Sequence, residues 1–405
     1  MPRKTERIQE ESSSKDLTAV NFVANMSYCE SDPMQRKIRV GVIFGGRSGE
    51  HEVSLASARS IMAAIDREAY DVVPLGITHA GQWLTSGDPM AVLSAGRSAT
   101  LDTGLAATHP ATTGRELVPG ATGEAFPPLD VIFPVLHGPY GEDGTVQGLF
   151  ELAGVPYVGC GVLASALAMD KIASKELFAA HGLPVTAGRA VKRKAWEAEP
   201  EAVLNGLEAA LGYPMFVKPA NLGSSIGISK ARDRDGLRAA LDEAARYDRK
   251  LLVEEAVPNA REIECSVLGN DDPIASAPGE IVASNEFYDY AAKYIDGKSQ
   301  LLIPAPISAD IAAQVQELAV RAFRAIDGAG LARVDFLLNG VTGELYLSEI
   351  NSLPGFTEIS MYPKLWEASG LPYRELIDRL IELALERHTD CGRSLTAYNG
   401  AMPAG

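Results

Sequence analysis

Four side chains near the C-terminal end of the chain carry the most legible chemistry. They are Arg333, Asp335, Glu349 and Asn351, in the run Arg333-Val-Asp-Phe-Leu-Leu-Asn-Gly-Val-Thr-Gly-Glu-Leu-Tyr-Leu-Ser-Glu349-Ile-Asn351. The pattern predicts a strand, a tight turn at Asn339–Gly343 and a return strand. Side chains on a strand alternate faces. Arg333 and Asp335 therefore share one face, and Glu349 and Asn351 share one face of the return strand. Val334, Phe336, Leu338, Leu345 and Leu347 between them are apolar, as a buried sheet requires. Three oxygen donors and one arginine can thus converge on one surface. Oxygen donors without His or Cys suit magnesium, which binds through one or two carboxylates plus substrate phosphates. Taken alone, the hairpin reads equally as an exposed salt-bridged face, since paired charges on strands are commonly structural.

Other segments add groups suited to phosphates and amino acids. The loop Asn221-Leu-Gly-Ser224-Ser225-Ile-Gly227 follows Lys218. Its glycines let backbone amides approach an anion, and a nearby lysine supplies a point charge. It is not a Walker A loop, and by itself it also reads as a hairpin turn. Lys171 stands at a predicted helix start, where a solvated lysine is the ordinary alternative. Glu254-Glu255-Ala256-Val257 ends a predicted strand, a place where backbone groups read an adenine edge and a carboxylate binds ribose hydroxyls. An edge-strand carboxylate is the plain alternative. Glu50, in Gly46-Arg-Ser-Gly-Glu50-His51, sits at a strand-to-helix junction where a carboxylate can hold an ammonium group. His137, in His137-Gly-Pro-Tyr-Gly-Glu-Asp-Gly144, lies just past the carboxyl end of another strand, where ligands bind in open α/β sheets; a turn-capping histidine is the alternative. Phe287-Tyr-Asp-Tyr-Ala-Ala-Lys293-Tyr294 opens a long segment without periodicity, of the kind that forms lids.

The elements that must position these groups are α/β in the first half and α+β in the second. Ile38–Phe44 is a continuous apolar run, the mark of a strand buried on both faces. A helical pattern at Leu55, Ala58, Ile61, Met62 and Ile65 follows, then strands at Asp71–Ile77 and Asp130–Leu136. This alternation predicts an open parallel sheet. Beyond it come a helix at Lys171–His181, strands at Pro214–Lys218 and Ile226–Lys230, and a helix at Asp235–Ala245. A strand at Lys250–Glu254 is expected to pair with Glu262–Leu268. Helices at Ile311–Ile326 and Tyr373–Glu386 flank the hairpin. The predicted divisions are a disordered extension 1–36, an α/β substrate domain 37–164, a central lobe 165–249, a C-terminal lobe 250–390 with a lid at about 284–304, and a tail 391–405. Leu84–Pro128, rich in Gly, Ala, Ser, Thr and Pro, reads as a surface insertion.

Composition narrows the function. With 405 residues, 46% hydrophobic and 22% charged, the chain reads as a multidomain globular protein. A net charge of −16 argues against a nucleic-acid surface. No apolar run is long enough to span a bilayer. Four cysteines without a C-x-x-C pair fit a reducing cytosol, so a cytoplasmic location is expected.

Taken in order, these elements closely resemble the D-alanine–D-alanine ligase family of the ATP-grasp superfamily, over about Ile38 to Arg387. The segments that carry the resemblance are GGRSGEHEVS, HGPYGEDGTVQG, GVLASALAMDK, VKPANLGSSIGIS, FYDYAAKY and RVDFLLNGVTGELYLSEINSLPGFTEIS. The resemblance implies a Rossmann-like N-terminal domain and a two-lobed ATP-grasp domain. It implies that ATP phosphorylates one D-alanine, that a second D-alanine attacks the acyl phosphate, and that the dipeptide feeds peptidoglycan synthesis. Lys171 and Lys218 are then expected on the ATP phosphates, beneath the Ser224 and Ser225 amides. Lys293 belongs to the same nucleotide site, and Glu254, Glu255, Val257 and Glu262 to the adenine and ribose pocket. Asp335, Glu349 and Asn351 are expected to hold two magnesium ions, with manganese as a substitute. Glu50 and His137 serve the first substrate, Arg333 and the Gly355 amide the oxyanion, and Ser360 and Met361 the second substrate's carboxylate. Ser224, Tyr294 and Glu50 form the expected lid latch. In this family, ligases that make D-alanyl-D-lactate tend to differ at the position of Tyr294, so Tyr294 favours an amine nucleophile. A homodimer is usual in the family. The rival readings are a D-lactate or D-serine ligase, another ATP-grasp ligase, and a non-catalytic nucleotide sensor. A sensor predicts damaged metal ligands or a missing arginine, and neither is found here.

Overall fold

The computed structural model describes residues 36–95, 128–223, 226–282 and 300–395. The expected extension up to residue 35, the stretch 96–127 of the expected insertion, and the tail from 396 lie outside the described residues. So do Ser224, Ser225 and residues 283–299, which hold most of the expected lid at about 284–304, with Lys293 and Tyr294. All elements belong to the unit Ile38–Gly405, the other unit being Met1–Lys37. Among the described residues no helix is long and apolar enough to cross a membrane.

The first sheet has the order β3-β2-β1-β4, from β1 (Ile38–Gly45), β2 (Tyr70–Ile77), β3 (Trp83–Leu84) and β4 (Val131–Val135). β1 runs parallel to β2 and β4, as the alternating pattern predicts, and β3 adds an antiparallel edge. Val40, Val42, Ile43 and Phe44 are buried, so the apolar run of β1 does mark a strand covered on both faces. Leu55, Ala58 and Ile61 of helix His51–Ala64 supply one cover. Part of the expected insertion is regular structure: Leu84 ends β3, and helix Pro89–Ser94 is capped by Asp88 accepting from the Ala91 amide at 3.0 Å.

The second sheet, order β5-β8-β6-β7, comprises β5 (Gly188–Lys192), β6 (Met215–Pro219), β7 (Ser229–Ala231) and β8 (Lys250–Glu255). Two expectations need correction here. β8 does not pair with the strand that follows it in sequence, but lies between β5 and β6. Its end is fixed to its own sheet, because the Glu255 amide donates to Ala187 O and the Ala256 amide to Pro214 O. The strand expected from Ile226 starts only at Ser229. Gly227 turns the chain with φ of 72° there, and a Cβ on it would lie 2.7 Å from the Tyr247 ring.

The third sheet is six-stranded, with path β12-β11-β9-β13-β14 and β10 on β9. Its strands are β9 (Ala260–Gly269), β10 (Ile274–Ala275), β11 (Gly279–Val282), β12 (Gln300–Leu302), β13 (Gly330–Asn339) and β14 (Leu345–Asn351). Helix Ala309–Ala325 presses Val315, Leu318, Ala322 and Phe323 into a core with Cys265, Val334, Phe336 and Leu347. The opposite face carries Glu262, Glu264, Arg333 and Asp335 along its middle, with buried Leu268 and Leu331 at one end. One irregularity determines what stands on it. Leu345, Leu347, Glu349 and Asn351 have the same parity, so a regular strand would drive Glu349 into the core beside Leu347. The β13–β14 register instead jumps from Asp335 opposite Glu349 to Phe336 opposite Leu347. Ser348 is the extra residue of a bulge, which lets Ile350 enter the core and turns Glu349 and Asn351 to the polar face.

Candidate active site

The polar face of the third sheet carries a row of acids. Asp335 of β13 stands opposite Glu264 of β9 on one side and Glu349 of β14 on the other. Carboxylates on adjacent strands repel, and the row persists because cations reach into it. Arg333 forks onto Asp335, with Nε to Oδ1 and Nη2 to Oδ2 both at 2.7 Å, and its Nε lies 3.0 Å from Glu264 Oε2. Burial works against the guanidinium's charge, but Asp335, Glu264 and Glu349 together raise its pKa well above the ordinary value. Asn351 Nδ2 donates to Asp335 Oδ2 at 2.9 Å. Lys171 Nζ lies 3.4 Å from Glu349 Oε2 and donates to Leu222 O at 2.7 Å. The predicted quartet is thus brought together. Asp335 and Glu349, with Glu264 beside them, carry three negative charges against the two positive charges of Arg333 and Lys171, which fits a divalent hard cation.

The lysines come from separate elements. Lys171 begins helix Lys171–Ala180, whose N-cap Asp170 accepts from the Ile172 and Ala173 amides. Lys218 is near the end of β6. Burial alone would lower its pKa, but Glu254 outweighs this, with Glu349 and Glu262 adding to it, and the pKa is raised. Glu254, expected in the ribose pocket, is buried with its carboxylate closed off. Oε1 pairs with Lys218, while Oε2 lies 2.8 Å from Lys175 Nζ and accepts from Thr186 Oγ1 at 3.0 Å. Burial would raise its pKa, yet Lys218 and Lys175 bring it down to about 2. Glu255 is also engaged elsewhere, accepting from the Gly212 amide at 2.7 Å. Val257 and Glu262 are half-buried, and Glu262 is within electrostatic reach of Lys218.

A cleft lined by Glu142, Lys171, Gly223, Glu349, Asn351 and Ser352 adjoins the acid row. Glu50 reaches it from the residue just before helix His51–Ala64: a Cβ on Gly223 would lie 3.1 Å from Glu50 Oε2 and 3.8 Å from Glu142 Oε1. Glu142 has its pKa raised to about 8, first by loss of solvent and then by the charge of Glu50, against the Gly138 amide it accepts from and against Lys171. His137 Nδ1 donates to Leu353 O at 2.9 Å, which fixes the tautomer. Its Nε2 is buried without a hydrogen-bond partner among the described residues. Burial lowers the His137 pKa, against the pull of Glu50, so the ring is neutral and its Nε2 is an acceptor.

The loop Ser352–Thr357 and the helix after it close the site from the C-terminal side. The Phe356 amide donates to Ser57 Oγ at 3.2 Å, tying this loop to the first sheet's helix. A Cβ on Gly355 would meet Ser360 Oγ at 3.4 Å. Ser360 precedes helix Met361–Ala368 and bonds Thr357 rather than capping that helix. Met361, expected to flank a substrate, has its side chain buried against Ile281 and Leu365; at the helix start its backbone amide is the part suited to a carboxylate.

Sequence reading missed Lys175, Glu264 and Glu142. Glu264 had a signal, because Glu262, Glu264 and Ser266 alternate with the apolar residues of β9. Lys175 is four residues after Lys171 and so on the same helix face. Among the described residues one trio of metal-capable side chains lies within 4.8 Å, His51, Glu52 and His79. Its imidazoles stack with centroids 3.8 Å and planes 23° apart, so their in-plane lone pairs run side by side instead of converging on one ion.

Two family profiles match the chain: "D-ala D-ala ligase N-terminus" over residues 39–160 and "D-ala D-ala ligase C-terminus" over residues 177–382. The D-alanine–D-alanine ligase of Heliobacterium modesticaldum is 56% identical over 360 residues, covering 89% of this chain and 98% of that protein. That of Natranaerobius thermophilus is 49% identical, covering 90% of this chain and 99% of its own length. Among solved structures, the D-alanine–D-alanine ligase of Coxiella burnetii matches with a TM-score of 0.73 at 35% identity, covering 89% of this chain and 97% of its own. The VanG D-Ala:D-Ser ligase of Enterococcus faecalis matches with a TM-score of 0.73 at 37% identity, covering 86% and 100%.

Proposed function

The chain belongs to the D-alanine–D-alanine ligase family, and we propose that its cleft joins two D-alanines through a D-alanyl phosphate at the expense of ATP, for peptidoglycan precursor synthesis. The single observation that carries this reading is the charge pattern around one cleft. Lys171, Lys218 and Arg333 offer cations for a transferring phosphoryl group, and Glu50 with Glu142 offers carboxylates for an ammonium.

The ATP phosphates lie between Lys171 and Lys218, and Val257 and Glu262 line the adenine and ribose pocket. Asp335, Glu349 and Asn351 would hold magnesium, which when bound would neutralise charge on the transferring oxygens. Glu50 binds the ammonium of the first D-alanine, with His137 beside it, and leaves the carboxylate free to attack the terminal phosphorus. ADP departs and the acyl phosphate remains. The amine of the second D-alanine, having lost a proton, attacks the acyl carbonyl. Arg333 and the Gly355 amide meet the negative charge that forms on the carbonyl oxygen. Ser360 and the first amide of helix Met361–Ala368 receive the second substrate's carboxylate. Collapse of the tetrahedral species expels phosphate and leaves the dipeptide. Water would destroy the acyl phosphate, so the reaction requires that the intermediate be kept from solvent.

The test is phosphate release from ATP and magnesium with D-alanine alone, then with added D-serine or D-lactate, the products being identified by mass. D-alanyl-D-alanine from D-alanine alone is expected. D-serine is a specific alternative because the Enterococcus faecalis neighbour is named for it; a mixed product dominating at neutral pH would favour that reading. Nucleotide binding without turnover in every mixture would contradict both.

A further inference from the structure

We propose that Lys175 is a positioning residue for phosphate binding: it holds the charge of buried Glu254, so that Lys218 can leave this carboxylate for the phosphates of ATP. The inference rests on the nucleotide role given to Lys218 above.

Glu254 lies on β8 opposite Phe216 of β6, and Lys218, two residues along β6, shares that face. Glu254 is almost wholly enclosed, its side chain 6% exposed, with Lys175 at 11% and Lys218 at 14%. One carboxylate therefore faces two ammonium groups. The two lysines are held differently. Lys175 Nζ bonds Thr186 O at 3.0 Å and Thr186 Oγ1 at 2.6 Å, besides Glu254 Oε2 at 2.8 Å. Thr186 Oγ1 in turn donates to Glu254 Oε2. Lys175 is thus locked by a side chain and a main-chain carbonyl. Lys218 has Glu254 Oε1 and the face of the Phe216 ring, 5.9 Å from its centroid, and it feels the charges of Glu349 and Glu262. Lys218 is the lysine free to change partners. It also precedes the loop from Asn221, whose glycines suit an anion.

A buried carboxylate stripped of its only cation is strongly unfavourable. Without Lys175, any move of Lys218 toward a phosphate would strand Glu254. With Lys175 in place, Glu254 stays paired and Lys218 takes its charge to the ligand. Lys171 and Lys175 lie on the same face of helix Lys171–Ala180, so that helix would set both the lysine nearest Glu349 and the one that frees Lys218.

Affinities for ATP, ADP and adenosine, measured by calorimetry with magnesium, test this. Lys175→Met is expected to weaken ATP and ADP about tenfold, the loss of one charge-assisted bond, and to leave adenosine binding unchanged. Lys175→Met in a Glu254→Gln background is expected to bind ATP as Glu254→Gln alone does, because the charge of Glu254 is no longer there to detain Lys218. That comparison stands even if Lys175→Met by itself does not fold. Equal losses for ATP and adenosine, or a double variant weaker than Glu254→Gln, would mean a merely structural lysine and overturn the inference. Lys218→Met separates the underlying reading. If it keeps full ATP affinity, the role of Lys218 itself is wrong. If it loses affinity while Lys175→Met does not, only the present inference is lost.

Discussion

Two acids of this protein, Glu254 and Glu142, are pushed in opposite directions. Glu254 is brought down to about 2 and Glu142 is raised to about 8. Loss of solvent favours the neutral form of both. The difference lies in the company. Glu254 faces Lys218 and Lys175, whereas Glu142 faces Glu50 with Lys171 as its offset. One region carries surplus cation and the other surplus anion. A polyanion such as ATP supplies what the first lacks, and the ammonium of an amino acid supplies what the second lacks. Each region is thus left electrostatically incomplete by the chain and completed by its own ligand.

The largest effect is expected at Arg333. Arg333→Met removes the fork on Asp335 and the cation beside Glu264, together with the proposed oxyanion donor. Turnover should fall at least a hundredfold, the scale of a lost oxyanion donor, as read by D-alanine-dependent phosphate release. A loss of a few-fold would place the oxyanion elsewhere.

A smaller effect isolates the anionic region. A bound ammonium favours ionised Glu142, so D-alanine binding should release a proton from it. Affinity for D-alanine should therefore rise from pH 6 towards the Glu142 pKa at about 8. Glu142→Gln should flatten that slope in a pH series of KM for D-alanine. The free protein behaves in the reverse sense. The folded pKa is raised, so the contribution of Glu142 to stability is complete below the unfolded carboxylate range and is lost as pH rises to about 8. Glu142→Gln should accordingly melt higher than the parent at pH 8 and converge with it near pH 4. An unchanged pH slope would break the contrast with Glu254.

Much of this was legible in the residues. The alternation in β13 gave the correct face for Arg333 and Asp335, and the apolar run of β1 gave a strand covered on both sides. The matching failure is β14. Parity alone would place Glu349 with Leu345 and Leu347, and only the bulge at Ser348 turns it out. A one-residue bulge has no composition signal of its own, because it is fixed by the demand of Ile350 for the core. The placement of β8 was missed for a related reason. Neighbouring strands pair by default, and the backbone bonds to Ala187 and Pro214 that overrule the default are long-range. Lys175 and Glu254 are 79 apart by subtraction of their numbers. Their ion pair exists only once the helix packs on the second sheet, so the sequence could offer Glu254 as a ribose ligand but not show its carboxylate already closed.

The most direct test of opposed charge in the two regions is a crossed measurement of KM for ATP and for D-alanine in Glu50→Gln and Lys218→Met. Glu50→Gln is expected to raise KM for D-alanine with little change for ATP, and Lys218→Met to do the reverse. If either variant weakens both substrates alike, the two regions are not separate charge complements and the account is contradicted.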